Sequence, residues 1–195
     1  LPDHEDSPFA RFGQWLAQAE ASEPNDPNAM ILATASRDGK PAARTVLLKA
    51  WDQAGFVFYT NLESRKSLEI KENPYASLLF YWKTLHRQIR IEGALSLVSD
   101  AQADAYYATR PRLSRLGAWA SEQSRALPSR EVFEARLAEY GAKYPGDDIP
   151  RPAHWSGWRL TPAYFEFWQD IEFRLHDRTT YTETANGWAT GKLYP

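Results

Sequence analysis

The sequence predicts a mixed, mainly β fold: an antiparallel barrel or sandwich with helices at its periphery, rather than a doubly wound parallel sheet. Three observations predict it. Short apolar segments follow one another with tight turns between them. Few helical segments fall where crossovers between parallel strands would be needed. The 10 glycines are scattered along 195 residues and form no phosphate-binding fingerprint behind a strand.

The elements follow in order. Residues 9–21 carry Phe9, Phe12, Trp15, Leu16 and Ala19 at helical spacing, and Pro24 and Pro27 close that helix. Residues 29–35 read as an apolar strand, and Asp38-Gly39 supplies the hairpin turn to a partner at 43–49. A third strand is expected at 55–60, a short helix at 64–73 closed by Asn73-Pro74, and further strands at 76–82 and 88–98. Ser99 caps a helix running to Thr109. Residues 111–124 read as irregular or helical, 129–144 as a helix, and 145–152 as a loop. Three late strands are expected at 157–161, 164–169 and 174–183, with an Asn186-Gly187 turn into a short last strand. The whole chain, 1–195, reads as one domain. It has an N-terminal helical segment (1–28), a helical insertion (99–144) and C-terminal strands (157–195) carrying Arg174-Leu175-His176-Asp177-Arg178.

Composition narrows the function. A hydrophobic fraction of 43% supports a core, and 8 Trp exceed what a small core needs, so some rings are expected at a ligand pocket or subunit interface. A net charge of -2 gives no bulk attraction to nucleic acid or to an anionic membrane. The absence of Cys excludes disulfides, thiolate metal sites and a Cys nucleophile, and fits a reducing, cytoplasmic setting. The four His are far apart, so no metal is expected. No apolar run approaches the ~20 residues of a membrane span. The first residues are acidic and polar, unlike a signal peptide, and lack an initiator Met, so the native chain is expected to begin earlier. The basic residues are 16 Arg against 7 Lys. That skew suits phosphate or carboxylate recognition, or reflects a GC-rich genome.

Five clusters could carry chemistry. In Arg44-Thr45-Val46-Leu47-Leu48-Lys49, alternation puts Arg44 on one face and Lys49 on the other. Cations on an apolar strand need anionic partners, unless they snorkel from its ends. Tyr59-Thr60-Asn61 followed by Ser64-Arg65-Lys66 sets cations at a helix N-terminus, where an anion would relieve their conflict with the dipole; a capped surface helix is the alternative. Tyr106 and Arg110 share a helix face with Ser114 one turn on, which is either a second phosphate site or a solvated helix end. Gln88 and Gln123-Ser124 could bond a heterocycle edge but decide nothing in isolation. Behind Trp168-Gln169, a strand would put Arg174, His176 and Arg178 on one face, against an anion or electron-rich ring, or in a salt-bridged edge with Asp177.

Taken in order, these segments resemble the pyridoxine/pyridoxamine 5′-phosphate oxidases, FMN-binding split-barrel enzymes. The resemblance runs from Ala29 to Pro195. It rests on Arg-Thr-Val-Leu-Leu-Lys at 44–49, Phe-Tyr-Thr-Asn at 58–61, Ser-Arg-Lys at 64–66, Arg-Gln at 87–88 and Thr109-Arg110-Pro111. Gly-Ala-Trp at 117–119, Gln-Ser at 123–124, Phe-Trp-Gln and Arg-Leu-His-Asp-Arg complete it. What the resemblance implies is an antiparallel split β-barrel and a homodimer with FMN at the subunit interface. The implied reaction oxidises pyridoxamine or pyridoxine 5′-phosphate with O2, by hydride transfer from substrate C4′ to flavin N5. The implied FMN residues are Arg44, Thr45, Val46, Leu47, Leu48, Lys49, Tyr59, Thr60, Arg65, Lys66, Gln88, Gln123, Ser124, Trp168 and Arg178. The implied substrate residues are Lys49, Tyr106, Arg110 and Ser114 at the phosphate, with Arg174 and His176 at the pyridine ring as the catalytic pair. A related split-barrel oxidase acting on another substrate, such as a phenazine precursor, and a non-catalytic flavin-binding protein are the alternatives. The glycine usual after Trp-Gln is replaced by the run Asp170-Ile171-Glu172-Phe173, which is where this chain is expected to differ from its relatives.

Overall fold

The computed structural model describes residues 7–195, so the first residues of the predicted N-terminal segment lie outside the described residues. Ser7 caps α1 (Pro8–Ser22) by accepting the Ala10 N–H at 3.0 Å, and Pro8 occupies the first turn, where no N–H is needed. The apolar stripe read from the sequence is buried. Phe12 contacts Phe56 and Phe80 at ring-centroid distances of 4.8 and 5.3 Å, Phe9 meets Phe165 at 5.4 Å, and Trp15 meets Phe167 at 5.2 Å. Helix α1 therefore seals the concave face of the sheet with aromatic edges.

The sheet contains β1 (Ala29–Ala35), β2 (Pro41–Leu47), β3 (Ala50–Asp52), β4 (Gly55–Asn61), β5 (Tyr75–Trp82), β6 (Arg87–Leu97), β7 (Trp155–Gln169), β8 (Asp177–Thr184) and β9 (Gly187–Leu193). Its order is β2-β1-β5-β6-β7-β4-β3, with β8 on β7 and β9 on β8, and every pairing is antiparallel. The sheet curls into a split barrel. Helix α2 (Arg65–Glu72) follows β4, while α3 (Asp100–Thr109), α4 (Arg112–Ala120) and α5 (Arg130–Lys143) lie between β6 and β7. Alternate residues of the strands, among them Leu32, Phe58, Leu78, Phe80, Ile89, Ile91 and Phe165, fill the core with α1.

The split arises in β7. Residues 155–160 pair with β4, and residues 164–169 pair with β8 on the same edge. Along its other edge β7 pairs with β6 throughout, except for a register shift between Glu92 and Gly93. There Glu92 faces Tyr164 and Gly93 faces Pro162, so Ala163 is the extra residue of a bulge. Pro162 has no N–H to donate, and a bulge is where a sheet tolerates that. The sequence expectation of two strands, 157–161 and 164–169, is corrected to one strand with a bulge. Gly93 is required at this place: a Cβ on it would stand 1.9 Å from the Thr161 carbonyl oxygen.

Three further expectations change. Strand β2 ends at Leu47, so Lys49 lies beyond it, and β3 forms where no strand was expected. The last strands begin differently too: β7 starts at Trp155 and β8 only at Asp177. Arg174 closes a short helical turn, Glu172–Arg174, in which Phe173 (φ 59) and Arg174 (φ 65) take the left-handed conformation. Arg174, His176 and Arg178 therefore do not alternate along one strand face. Two consecutive left-handed side-chain-bearing residues cannot belong to a strand.

Replacing Gly93 by Ala is expected to lower unfolding stability by about 3 kcal/mol, the upper range for overpacking against a backbone that cannot move aside. Urea denaturation would measure it, and an unchanged midpoint would show that the β6–β7 crossing is more compliant than its geometry indicates.

Candidate functional site

A cavity of about 490 Å³ opens between the end of β2, the end of β4 and helices α3 and α4. Its floor is set by β4. Tyr59 lies opposite Gly157 on β7, whose missing side chain leaves room for the phenol ring: a Cβ on Gly157 would sit 2.8 Å from it. Tyr59 stacks on Tyr106 of α3 at 4.0 Å and on Trp155 at 5.3 Å. Burial raises the pKa of both tyrosines, so their hydroxyls remain protonated donors. The wall from α4 is made of Ser114, Gly117, Ala118 and Ser121. These small residues recur at i, i+3, i+4 and i+7, one helix face, and the space beside Gly117 is open.

Among the described residues three cations line this cavity, Lys49, Lys66 and Arg110, and no carboxylate does. Lys66 donates to Gln123 Oε1 at 2.7 Å, to Thr60 Oγ1 at 3.2 Å and to Ser64 Oγ at 3.3 Å, all neutral acceptors. Burial, then the charge of Arg44, bring its pKa down to about 8. Arg110 lies over the Trp155 ring at 4.7 Å, and its Nη1 is buried without a hydrogen-bond partner. Burial lowers its pKa as well. Both cations are held ready for an anion that none of the described residues lining the cavity supplies.

Behind the cavity, α2 is locked onto β4. Ser64 and Ser67 both donate to the Asn61 carbonyl, at 2.7 and 2.9 Å. Ser64 consequently makes no side-chain cap, which leaves the N–H groups of the first turn of α2 without one. One turn on, the buried Glu69 carboxylate accepts from Thr34 at 2.5 Å, Arg44 Nη2 at 3.0 Å and Arg65 Nε at 2.8 Å. Arg44 also bonds Thr34 Oγ1. Burial alone would raise the Glu69 carboxyl, but these donors outweigh it and hold it below the usual range. Two guanidiniums thus share one carboxylate. With Lys66 beside them, the cluster keeps two positive charges beyond what Glu69 neutralises.

A second depression lies on the convex face of the sheet, lined by Leu79, Gln88, Arg90, Glu166, Trp168, Arg178 and Pro195. Gln88, Trp168 and Arg178 stand in register across β6, β7 and β8. Glu166, buried between Arg90 and Arg178, accepts from them at 2.6 and 2.7 Å. His176 packs on Trp168 with centroids 4.6 Å apart, which brings it to the edge of this patch, while Arg174 is exposed on the preceding turn.

The structure therefore divides the residues singled out from sequence. Thr45, Val46, Leu47, Lys49, Tyr59, Thr60, Lys66, Tyr106, Arg110, Ser114 and Gln123 meet at the cavity. Gln88, Trp168, Arg178 and His176 gather at the second patch. Arg44 and Arg65 lie against Glu69 instead, and Leu48 is in the core. Ser124, at φ 71, points away from the cavity into the grooves beside α2 and α5. Trp155, Glu69 and Glu166 were missed. Glu69 was findable as the i+4 partner of Arg65, and Glu166 as an acid between two core phenylalanines; Trp155 carried no signal beyond the excess of Trp.

A family model described as pyridoxamine 5′-phosphate oxidase matches residues 16–144, and one described as pyridoxine 5′-phosphate oxidase C-terminal dimerisation region matches residues 155–195. A curated relative from Sphingopyxis alaskensis, named pyridoxine/pyridoxamine 5′-phosphate oxidase, is 60% identical over 97% of this chain and 88% of its own. One of the same name from Gluconobacter oxydans is 57% identical over 100% of this chain and 98% of its own. Among solved structures, PhzG from Burkholderia lata in complex with tetrahydrophenazine-1-carboxylic acid superposes with a TM-score of 0.92 at 34% identity, covering 100% of this chain and 97% of that one. A pyridoxamine 5′-phosphate oxidase-related, FMN-binding protein from Nostoc punctiforme has a TM-score of 0.77 at 19% identity, over 97% and 98% of the two chains, a likeness of fold.

The depressed pKa of Lys66 sets a pH test. Below about 8 the side chain is charged, and above it the charge is lost, so dianion binding must reprotonate it. Affinity for a phosphomonoester, dianionic above pH ~6, is expected to fall about tenfold from pH 7 to pH 9. Lys66→Met should flatten that slope. Calorimetry at the two pH values would measure it, and a flat wild-type profile would contradict the assignment.

Proposed function

The chain belongs to the pyridoxine/pyridoxamine 5′-phosphate oxidase family of oxidoreductases, and from that premise we propose that it works as a homodimer. In this reading it binds FMN between its subunits and oxidises pyridoxamine or pyridoxine 5′-phosphate to pyridoxal 5′-phosphate, with O2 as acceptor. The observation that carries this is the cavity, free of carboxylates among the described residues, with its three cations, two of them lowered in pKa first by burial. FMN and a B6 vitamer phosphate each bring a phosphate dianion.

The residues fit both. Lys66, the first turn of α2, and Arg44 and Arg65 on their shared Glu69 would hold the FMN phosphate, where two uncompensated positive charges meet two negative ones. The end of β2, from Thr45 to Lys49, would lie along the flavin, with Tyr59, Thr60 and Gln123 around it. Lys49, Tyr106, Arg110 and Ser114 would take the substrate phosphate; the orphan Nη1 of Arg110 supports this. FMN, when bound, would supply the redox chemistry as acceptor of a hydride from substrate C4′, with O2 as the final electron acceptor. The protein contributes position: Arg174 and His176 hold the pyridine ring and stabilise charge on it.

The need for two subunits follows from reach. Trp155 at the cavity and Trp168 at the second patch are thirteen positions apart on one strand, about 40 Å of extended backbone. A single flavin cannot touch both ends, so Gln88, Trp168 and Arg178 would come from a second copy. The match to a dimerisation region over 155–195 supports that arrangement. A phenazine-type substrate is the second reading, favoured by the likeness to PhzG. The two cations Arg110 and Lys49, with Ser114, favour a phosphorylated substrate instead. A cytoplasmic location accords with the absence of Cys.

The purified protein should be yellow and should convert pyridoxamine or pyridoxine 5′-phosphate in air to pyridoxal phosphate and peroxide; a yellow protein inert to both would overturn the substrate. Arg174→Ala is expected to cut kcat by at least tenfold while FMN stays bound, and simultaneous loss of flavin would show the residue is misassigned. Lys66→Ala and Arg178→Ala should each lose FMN. Co-expressed, they should regain one intact site per mixed dimer; no recovery would refute a shared site.

A further inference from the structure

The turn between β7 and β8 holds an ion pair that no role above uses. Asp170 Oδ1 lies 2.9 Å from Nδ1 of His176, whose side chain is only 10% exposed, and the imidazole is backed by Trp168 on its other side. We propose that Asp170 is a positioning residue for His176: its carboxylate takes the Nδ1–H, fixes the ring, and leaves Nε2 as the atom offered to substrate. This rests on the reading in which His176 faces the pyridine ring.

Asp170 is itself held in place. Its backbone N–H donates to the His86 carbonyl at 2.9 Å. The preceding Gln169 is fixed by Arg87, whose Nε donates to Gln169 Oε1 at 2.6 Å, and donates in turn to the Leu85 and His86 carbonyls at 3.3 Å. The β5–β6 turn is thus the base on which the carboxylate stands. Its other oxygen is 3.7 Å from Nδ1 of His86, an exposed side chain. The Ile171 N–H also points at His176 Nδ1, at 3.5 Å. The two contacts make opposite demands on that nitrogen. A carboxylate at 2.9 Å favours a proton between the atoms, whereas 3.5 Å is the limit of a hydrogen bond, so on this proposal Nδ1 carries the hydrogen.

The same pair closes the loop that carries Arg174. Phe173 and Arg174 are both left-handed, a conformation that costs on the order of 1–3 kcal/mol per residue and persists only where neighbouring contacts hold it. Within the turn, the Leu175 N–H donates to the Glu172 carbonyl at 3.3 Å. The Asp170–His176 contact clamps the two ends of the segment. Removing the carboxylate therefore frees the imidazole to rotate and loosens the turn that presents Arg174.

The test is NMR of the 15N-histidine-labelled holoenzyme at pH 8, with His176→Gln to assign the ring, together with kinetics of Asp170→Ala and Asp170→Asn. Wild type should show the Nδ1–H form. Asp170→Ala should move the ring toward Nε2–H and lower kcat by about ten- to a hundredfold, as small misplacements of a reacting group do, with FMN still bound. Asp170→Asn, whose amide oxygen still accepts from Nδ1–H, should restore both the tautomer and most of kcat. Melting curves of the variants guard against misfolding. An Nε2–H ring in wild type, or an Asp170→Ala enzyme with wild-type tautomer and kcat, would overturn the proposal. If the wild-type protein turned over neither B6 phosphate while the tautomer behaved as expected, the substrate reading would fail and the Asp170–His176 pairing would stand.

Discussion

Everything in this molecule is hung on β7. One strand of fifteen residues pairs with β6 along its full length and exchanges β4 for β8 halfway, at the bulge around Pro162 and Ala163. The exchange is what opens the barrel. On the proposed reading it also separates two parts of the site, because the first half of β7 sets Trp155 at the cavity and Gly157 against Tyr59, and the second half carries Trp168. The two groups of site residues are separated by the length of a strand anchored in the core by its phenylalanines, Phe165 and Phe167. On the proposed reading, a second copy is therefore a geometric requirement of the fold, before any interface energy is considered.

The electrostatics follow a consistent pattern. Four guanidiniums on strands or on α2 are held by two buried carboxylates: Glu69 for Arg44 and Arg65, Glu166 for Arg90 and Arg178. Each acid serves two cations; the Glu69 cluster keeps a residual positive charge, whereas Glu92, 2.9 Å from Arg90, balances the Glu166 cluster. Such clusters contribute little net stability once desolvation is counted, but removing the shared acid would leave buried charges facing one another. Inside the cavity the pattern is broken. Lys66 and Arg110 receive only neutral acceptors, an indole face or nothing, and their acidities shift accordingly. A protein accepts that cost where a ligand offsets it.

Much of this was legible in the sequence, for identifiable reasons. The stripe of α1, the hairpin at Asp38-Gly39 and the core strands are set by local periodicity, which a single sequence displays directly. The grouping of Lys49, Lys66 and Arg110 was legible only as chemistry, cations on apolar elements wanting anions, because their convergence depends on three helices packing over one end of the sheet. The continuity of β7 was hidden by Pro162, which reads as a strand break and acts as a bulge. The face shared by Arg174, His176 and Arg178 was a failure of period: alternation holds from Asp177 onward, but the left-handed pair at Phe173 and Arg174 precedes it, and no glycine marks the spot.

That failure sharpens the meaning of the segment from Arg174 to Arg178. Arg178 is in strand register with Trp168 and is gripped by a buried glutamate, so its position is as rigid as the sheet. Arg174 sits on a strained turn and is exposed, and only the residues at the turn's base fix it. Between them His176 is tied to both, to the sheet through Trp168 and to the turn through Asp170. Five consecutive residues thus grade from fixed to adjustable. On the proposed reading, the fixed end meets a cofactor that stays and the adjustable end meets a substrate that enters and leaves. A strand throughout would have made all three contacts equally rigid and left no means of admitting the substrate; a loop throughout would have lost the register that aligns Arg178 with the flavin. The turn-to-strand boundary at Asp177 is the physical compromise between those demands.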